Sequence, residues 1–163
     1  MAIAVYAGAF DPLSYGHLSV VRKAARIFAH VRVLVAVNPD KSPLFTLEER
    51  VGIIAEVVRR MPQVSVDSTS GLVVDYAREV GAGFLIRGLR TSLDAEYEIA
   101  LANENRQHAP EITTIFLPAE PEYAGISSSE IRALAREGRD VGDLCPASVA
   151  TKVAALARGR DDR

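Results

Sequence analysis

A single cysteine, Cys145, stands in 163 residues, so no intramolecular disulfide can form, and no Cys/His cluster offers a structural zinc site. Both absences suit a reducing cytoplasm. An excess of charge of one sign is also missing, since 19 basic and 21 acidic side chains nearly cancel. No global field therefore draws the chain to nucleic acid or to a membrane, and any phosphate binding has to be local. Apolar runs never approach the roughly 20 residues of a membrane span. The opening Met1-Ala2-Ile3-Ala4-Val5-Tyr6 lacks the basic region that precedes the apolar run of a signal peptide. A soluble, cytoplasmic protein is expected. Repeats, linkers and low-complexity tracts are absent too.

What is present is an apolar fraction of 48%, enough for one domain with a proper core and too little length for two. We expect a single domain over residues 1–158 and a frayed charged tail over 159–163. Short apolar, β-branched runs at Ile3–Tyr6, Val31–Val37, Val64–Val66, Gly83–Ile86 and Thr113–Leu117 read as five strands. Amphipathic segments lie between them. Leu18, Val21, Ala25 and Phe28 share one helical face, as do Leu47, Val51, Ile54 and Val58. Further helices are expected from about Leu72 to Val80, stopping at Gly81, and over Ala95–Gln107, ending near Pro110. Ser127-Ser128-Ser129-Glu130 has the form of a capping box opening a helix to about Glu137, and Pro146 suits the first turn of a last helix, Ala147–Arg158. Strands that are continuously apolar and alternate with helices imply a doubly wound, five-stranded parallel sheet of Rossmann-like α/β class, covered on both faces. Ligands of such sheets bind at the carboxyl ends of the strands.

The sharpest local signal is Gly8-Ala9-Phe10-Asp11-Pro12-Leu13-Ser14-Tyr15-Gly16-His17, a loop that carries the first strand into the first helix. It puts His17 at a helix N-terminus, where free backbone N–H groups and a partial positive charge favour phosphate. Gly8 and Gly16 would let the backbone come close to it. The same residues could equally make turns and a cap. Neither a Walker A sequence nor G-x-G-x-x-G spacing is present. Asp11, standing before Pro12, could be a metal ligand, a base or a turn residue. Lys41 follows the second strand and Arg87 and Arg90 the fourth, which would gather three cations at one sheet edge.

Gly8-x-Phe10-Asp11-Pro12 followed by Gly16-His17 resembles the T/HxGH signature of the nucleotidyltransferases. With Asn38-Pro39-x-Lys41, Phe45-Thr46-Leu47-Glu48-Glu49-Arg50, Ile86-Arg87-Gly88-Leu89-Arg90, Asp94-x-Glu96-Tyr97-Glu98 and Ile126-Ser127-Ser128-Ser129, it is similar in order and spacing to the bacterial phosphopantetheine adenylyltransferases, from Tyr6 to about Pro146. The resemblance implies adenylyl transfer from ATP, with magnesium, to 4'-phosphopantetheine, giving dephospho-coenzyme A and pyrophosphate. It implies His17 as transition-state stabiliser, with Lys41 and Arg90 as catalytic cations beside it. Ala9, Phe10, His17, Gly88, Leu89, Arg90, Glu98 and the run Tyr123, Ala124, Gly125, Ile126, Ser127, Ser128 and Ser129 would hold ATP. Ala9, Lys41, Val73 and Arg87 would hold phosphopantetheine, and no side chain is expected to bind a metal directly. A homohexamer built as a dimer of trimers and inhibition by coenzyme A are implied as well.

The chain departs from the pattern in three places. Ala9 lacks the usual Thr or Ser hydroxyl, a hydrogen bond to a charged group worth about 1.5–3 kcal/mol. Ser14 stands in place of Thr or His, and Tyr123-Ala124-Gly125 replaces an aromatic-Ser-aromatic run, a looser adenine wall. Three alternatives stand beside the main reading. One is a transferase of the same superfamily acting on nicotinate mononucleotide, glycerol phosphate or a sugar phosphate. Another is a non-catalytic nucleotide- or coenzyme A-binding protein, and the third is a structural oligomer subunit.

Overall fold

The computed structural model describes residues 2–37 and 42–161, with side chains through 156. Its five strands, β1 (Ile3–Gly8), β2 (His30–Ala36), β3 (Val64–Thr69), β4 (Phe84–Leu89) and β5 (Thr113–Pro118), form one parallel sheet in the order β3-β2-β1-β4-β5. Between and after them come α1 (Tyr15–Ile27), α2 (Leu47–Val58), α3 (Val73–Glu79), α4 (Ser92–His108), α5 (Ser128–Arg136) and α6 (Ala147–Asp161). The expected doubly wound, Rossmann-like α/β architecture is the one found. Among the described residues no helix is long and apolar enough to cross a membrane.

The sheet explains why the strands read as continuously apolar. Along β1, Ala4 and Tyr6 enter one core cluster while Val5 and Ala7 enter another. β2 divides in the same way, with Val31, Val33 and Val35 on one side and Leu34 on the other, and β4 with Ile86 opposite Leu85. Side chains alternate across a strand, so a strand buried on both faces needs an apolar residue at every position. Truncating a fully buried member such as Ile86 or Ile131 to alanine costs about 2–5 kcal/mol.

Helices α1, α2, α5 and α6 cover the first face through Val21, Ala24, Ile54, Val58, Ile131, Val149 and Val153. On the second face α3 contributes Val74, Tyr76 and Ala77, whereas α4 buries no residue at all. Capping boxes start α1 at Ser14, α2 at Thr46 and α4 at Thr91. The Thr91 cap is why α4 begins at Ser92 rather than at Ala95, the start expected from the apolar pattern. Gly81, with φ of 68°, ends α3 as foreseen. The last helix runs to Asp161, beyond the Arg158 boundary expected for it.

Strand order fixes where a ligand can sit. From β1 the chain winds outward through β2 to β3, then returns to the other side of β1 as β4 and continues to β5. Helices on either side of that reversal leave a crevice beyond the carboxyl ends of β1 and β4.

Candidate active site

A cavity of about 350 Å3 fills that crevice. Its walls come from Tyr6 to Phe10 at the end of β1, Ser14, Gly16, His17 and Val20 at the start of α1, Arg87, Gly88 and Arg90 at the end of β4, Glu98 of α4, and Ile126 to Ser129 at the start of α5. Residues far apart in sequence meet here because each lies where a strand ends or a helix begins.

His17 is the third residue of α1, and its Nδ1 accepts the N–H of Ser14 at 3.1 Å, while the Ser14 hydroxyl accepts the His17 N–H at 3.2 Å. Burial, reinforced by the guanidinium groups of Arg90 and Arg87, pushes its pKa down to about 4. The ring is therefore neutral at physiological pH. Since Nδ1 is an acceptor, the single ring proton sits on Nε2, leaving a hydrogen-bond donor at the other ring nitrogen. His17 is thus at once a helix cap and a cavity wall, which joins the two readings of the loop.

Phe10 holds the loop in a left-handed conformation, φ 47°, uncommon for a residue with a side chain. Its ring is buried edge-on between Tyr6, at 5.2 Å, and His17, at 5.1 Å. A Cβ on Gly8 would lie 3.1 Å from that ring. A side chain at Gly8 would press on that ring, which gives Gly8 a packing role beside the phosphate approach expected of it. Among the described residues, no acceptor meets the N–H of Ala9 or of Phe10.

Asp11 is buried, and its two carboxylate oxygens accept the N–H groups of Leu44 at 2.7 Å and Phe45 at 3.0 Å. It is neither a free base nor an open metal ligand but a tie between two loops. Arg50, buried on α2 and missed as a candidate, donates from Nη1 to the Ala9 carbonyl at 2.9 Å. Ser128 Oγ donates to the Pro12 carbonyl at 2.8 Å, so the serine cluster and the first loop form one wall. Ser127 caps α5 by accepting the Glu130 N–H at 3.1 Å, as its sequence predicts.

The cations are placed less simply. Arg87 lies within β4 rather than after it, on the same side of the strand as Leu85 and therefore toward α4. Its guanidinium makes a two-pronged pair with Glu98, Nη2 to Oε1 at 2.9 Å, and donates to the Ala7 carbonyl at 3.0 Å. Glu98 is accordingly no solvated charge, being held where the exposed pattern of α4 gave no hint of a partner. Arg90 does follow β4, leaning on Asp94 through Nε at 3.2 Å and on the Ile126 carbonyl at 3.3 Å. Lys41 lies outside the described residues.

Some expected residues do not line the cavity. Val73 opens α3 and packs against the core of the second face. Leu89, Tyr123, Ala124 and Gly125 are also absent from the walls, and the Tyr123 ring stacks on Tyr15 at 5.6 Å. Cys145 is buried, which pushes its thiol up to about 11 and removes it as a nucleophile.

Residues 5–134 match the cytidylyltransferase-like family model. The phosphopantetheine adenylyltransferase of Desulforudis audaxviator (strain MP104C) is 48% identical over 149 residues, 91% of each chain. That of Heliobacterium modesticaldum is 44% identical over 154 residues, 94% of this chain and 92% of its own. The chain belongs to the phosphopantetheine adenylyltransferase family. The fold of a phosphopantetheine adenylyltransferase is shared more widely. The nicotinic acid mononucleotide adenylyltransferase of Plasmodium falciparum, complexed with NaAD, superposes with a TM-score of 0.68 over 98% of this chain and 96% of that one, at 16% identity. Sheet and helices alone therefore do not choose the acceptor.

Proposed function

We propose that this chain catalyses the reversible transfer of the adenylyl group of ATP to 4'-phosphopantetheine, yielding 3'-dephospho-coenzyme A and pyrophosphate. What carries the reading is the meeting of His17, Arg90 and Ser127–Ser129 around one switch-point cavity, in a chain 48% identical to a phosphopantetheine adenylyltransferase. A phosphate oxygen of phosphopantetheine attacks the α-phosphorus of ATP, the bond from that phosphorus to the bridging oxygen breaks, and pyrophosphate leaves in line. The chain's task is to hold two phosphates in register and to stabilise spreading charge. The Nε2–H of His17 donates to an α-phosphoryl oxygen, and the N–H groups of Ala9 and Phe10 and the start of α5 add neutral donors. Arg90 faces the polyphosphate, and Glu98 completes the nucleotide side by holding Arg87 against β1.

Lys41 and Arg87 are assigned to the phosphate of phosphopantetheine. For Arg87 this requires the incoming phosphate to share its guanidinium with Glu98. Val73, Leu89 and Tyr123–Gly125 are retained as outer contacts of the two substrates. Among the described residues no group of three or more His, Cys, Asp or Glu side chains stands ready for a metal. Magnesium, proposed here as the companion of ATP, would be held by phosphates and water and would lower their negative charge. Assembly into a homohexamer of two trimers is proposed, with the apolar, exposed Leu93, Tyr97 and Ile99 of α4 at a subunit contact. Coenzyme A, which shares chemical parts with the product, is proposed as an inhibitor, and the cytoplasm as the place of action.

Pyrophosphate release with ATP, magnesium and 4'-phosphopantetheine, run beside other phosphorylated acceptors, tests the reading. Turnover is expected with phosphopantetheine alone. His17→Ala should lower kcat by roughly 10²–10³. Release with nicotinate mononucleotide, or binding of ATP without any release, would overturn the assignment.

A further inference from the structure

We infer that Asp11 is a positioning residue for this reaction, through a buried clasp that holds the Ala9–Phe10 backbone facing the phosphates. The inference rests on the proposed function. Three observations converge on the turn. The conformation of Phe10, φ 47°, is one that a residue with a side chain keeps only when its surroundings impose it. The turn is gripped from both flanks: Arg50 takes the Ala9 carbonyl on one side, and the Asp11 carboxylate is bound to the Leu44 and Phe45 N–H groups on the other. Arg132 of α5 also reaches this turn, donating from Nη1 to the Asp11 carbonyl, with the same nitrogen 4.0 Å from Oδ2.

Each bond of the clasp crosses a long stretch of sequence, joining the β1–α1 loop to the approach of α2 and to α5. Among the described residues the N–H groups of Ala9 and Phe10 find no acceptor, and they stand beside these grips. Successive N–H groups around a left-handed residue form an anion-binding concavity. The departure at Ala9, which removes a hydroxyl, places more of the phosphate's recognition on these backbone donors. Asp11 does not touch substrate in this arrangement: it sets the angle at which the donors meet it.

Asp11→Asn keeps the shape but turns one carboxylate oxygen into an NH2 facing an N–H, so it opens half of the clasp, and Asp11→Ala opens all of it. With both substrates saturating and at a temperature where circular dichroism shows each variant fully folded, kcat should fall about tenfold for Asn and further for Ala, with both KM values within threefold of the parent. A kcat within twofold of the parent for both variants, or a loss that vanishes when the assay is repeated about 10–15 degrees lower, would overturn the proposal. The parent protein in the same assay reports on the proposed function separately. If the parent is silent, the amide shifts of Ala9 and Phe10 on titration with ATP still decide: shifts in the parent that are lost in Asp11→Asn support the clasp, and equal shifts in both sink it.

Discussion

The two faces of the sheet are furnished unequally, and the active site draws on both. On the first face α1, α2, α5 and α6 pack over Tyr6, Val33 and Ile86. His17 arrives on α1, a helix with a buried stripe and a reciprocal cap. On the second face α4 delivers Glu98 without burying a single residue. The pair with Arg87 supplies the tie between α4 and β4 that packing supplies for α1. A site residue can thus be held by the density of the helix beneath it or by one charged contact, and the two kinds of support respond to different perturbations.

The largest effect should come from cutting the charged contact. Glu98→Ala leaves Arg87, only 22% exposed, without its partner, and a stranded, partly buried guanidinium is costly. We expect a loss of about 2 kcal/mol in urea unfolding and at least a tenfold rise in the KM for ATP. A full recovery in Glu98→Gln would show that shape, not charge, holds α4. Next is pH. His17 has a folded pKa of about 4 against 6.5 when unfolded, so the unfolded chain binds the extra proton first, and stability is lost as pH falls from 6.5 toward 4. Urea midpoints across that range should drop, while kcat should show no acid limb near 6.5. A kinetic limb at 6.5 would mean that the ring is not neutralised by its surroundings.

Ser14→Ala probes the dense face. Removing an N-cap hydroxyl costs about 1 kcal/mol, and here it also removes a hydroxyl 3.1 Å from Nδ1 of His17, so the melting temperature should fall a few degrees and kcat severalfold. The smallest effect on the single chain belongs to Tyr97→Asp on the open side of α4. Tyr97 is 67% exposed, so intrinsic stability should move by less than about 0.5 kcal/mol. Sedimentation should nonetheless reveal smaller particles. An unchanged assembly would remove α4 from the proposed subunit contacts.

Much of this arrangement was legible from the residues alone. Runs such as Val31–Val35 announce a strand buried on both sides, Gly81 announces a helix end, and Ser127 with Glu130 announces a cap. These are local signals with local causes. The tie from Asp11 to Leu44 and Phe45, Arg50 on the Ala9 carbonyl, and the Arg87–Glu98 pair depend on how elements pack, and no spacing in the chain encodes them. Gly8 teaches the same lesson from the other side: its place in the motif is visible, but the ring that a side chain there would press on is seen only after folding.

The central position of β1, paired with β2 on one side and β4 on the other, has a consequence in time as well as in space. Local opening is expected to begin where burial is sparsest, at α4, and to reach the central strand β1 last. The Glu98 contact is therefore surrendered early and regained late, while the loop bearing His17 stays attached to the slowest-opening part of the molecule. Breathing of the native state should then loosen the Glu98 contact before it disturbs the surroundings of His17.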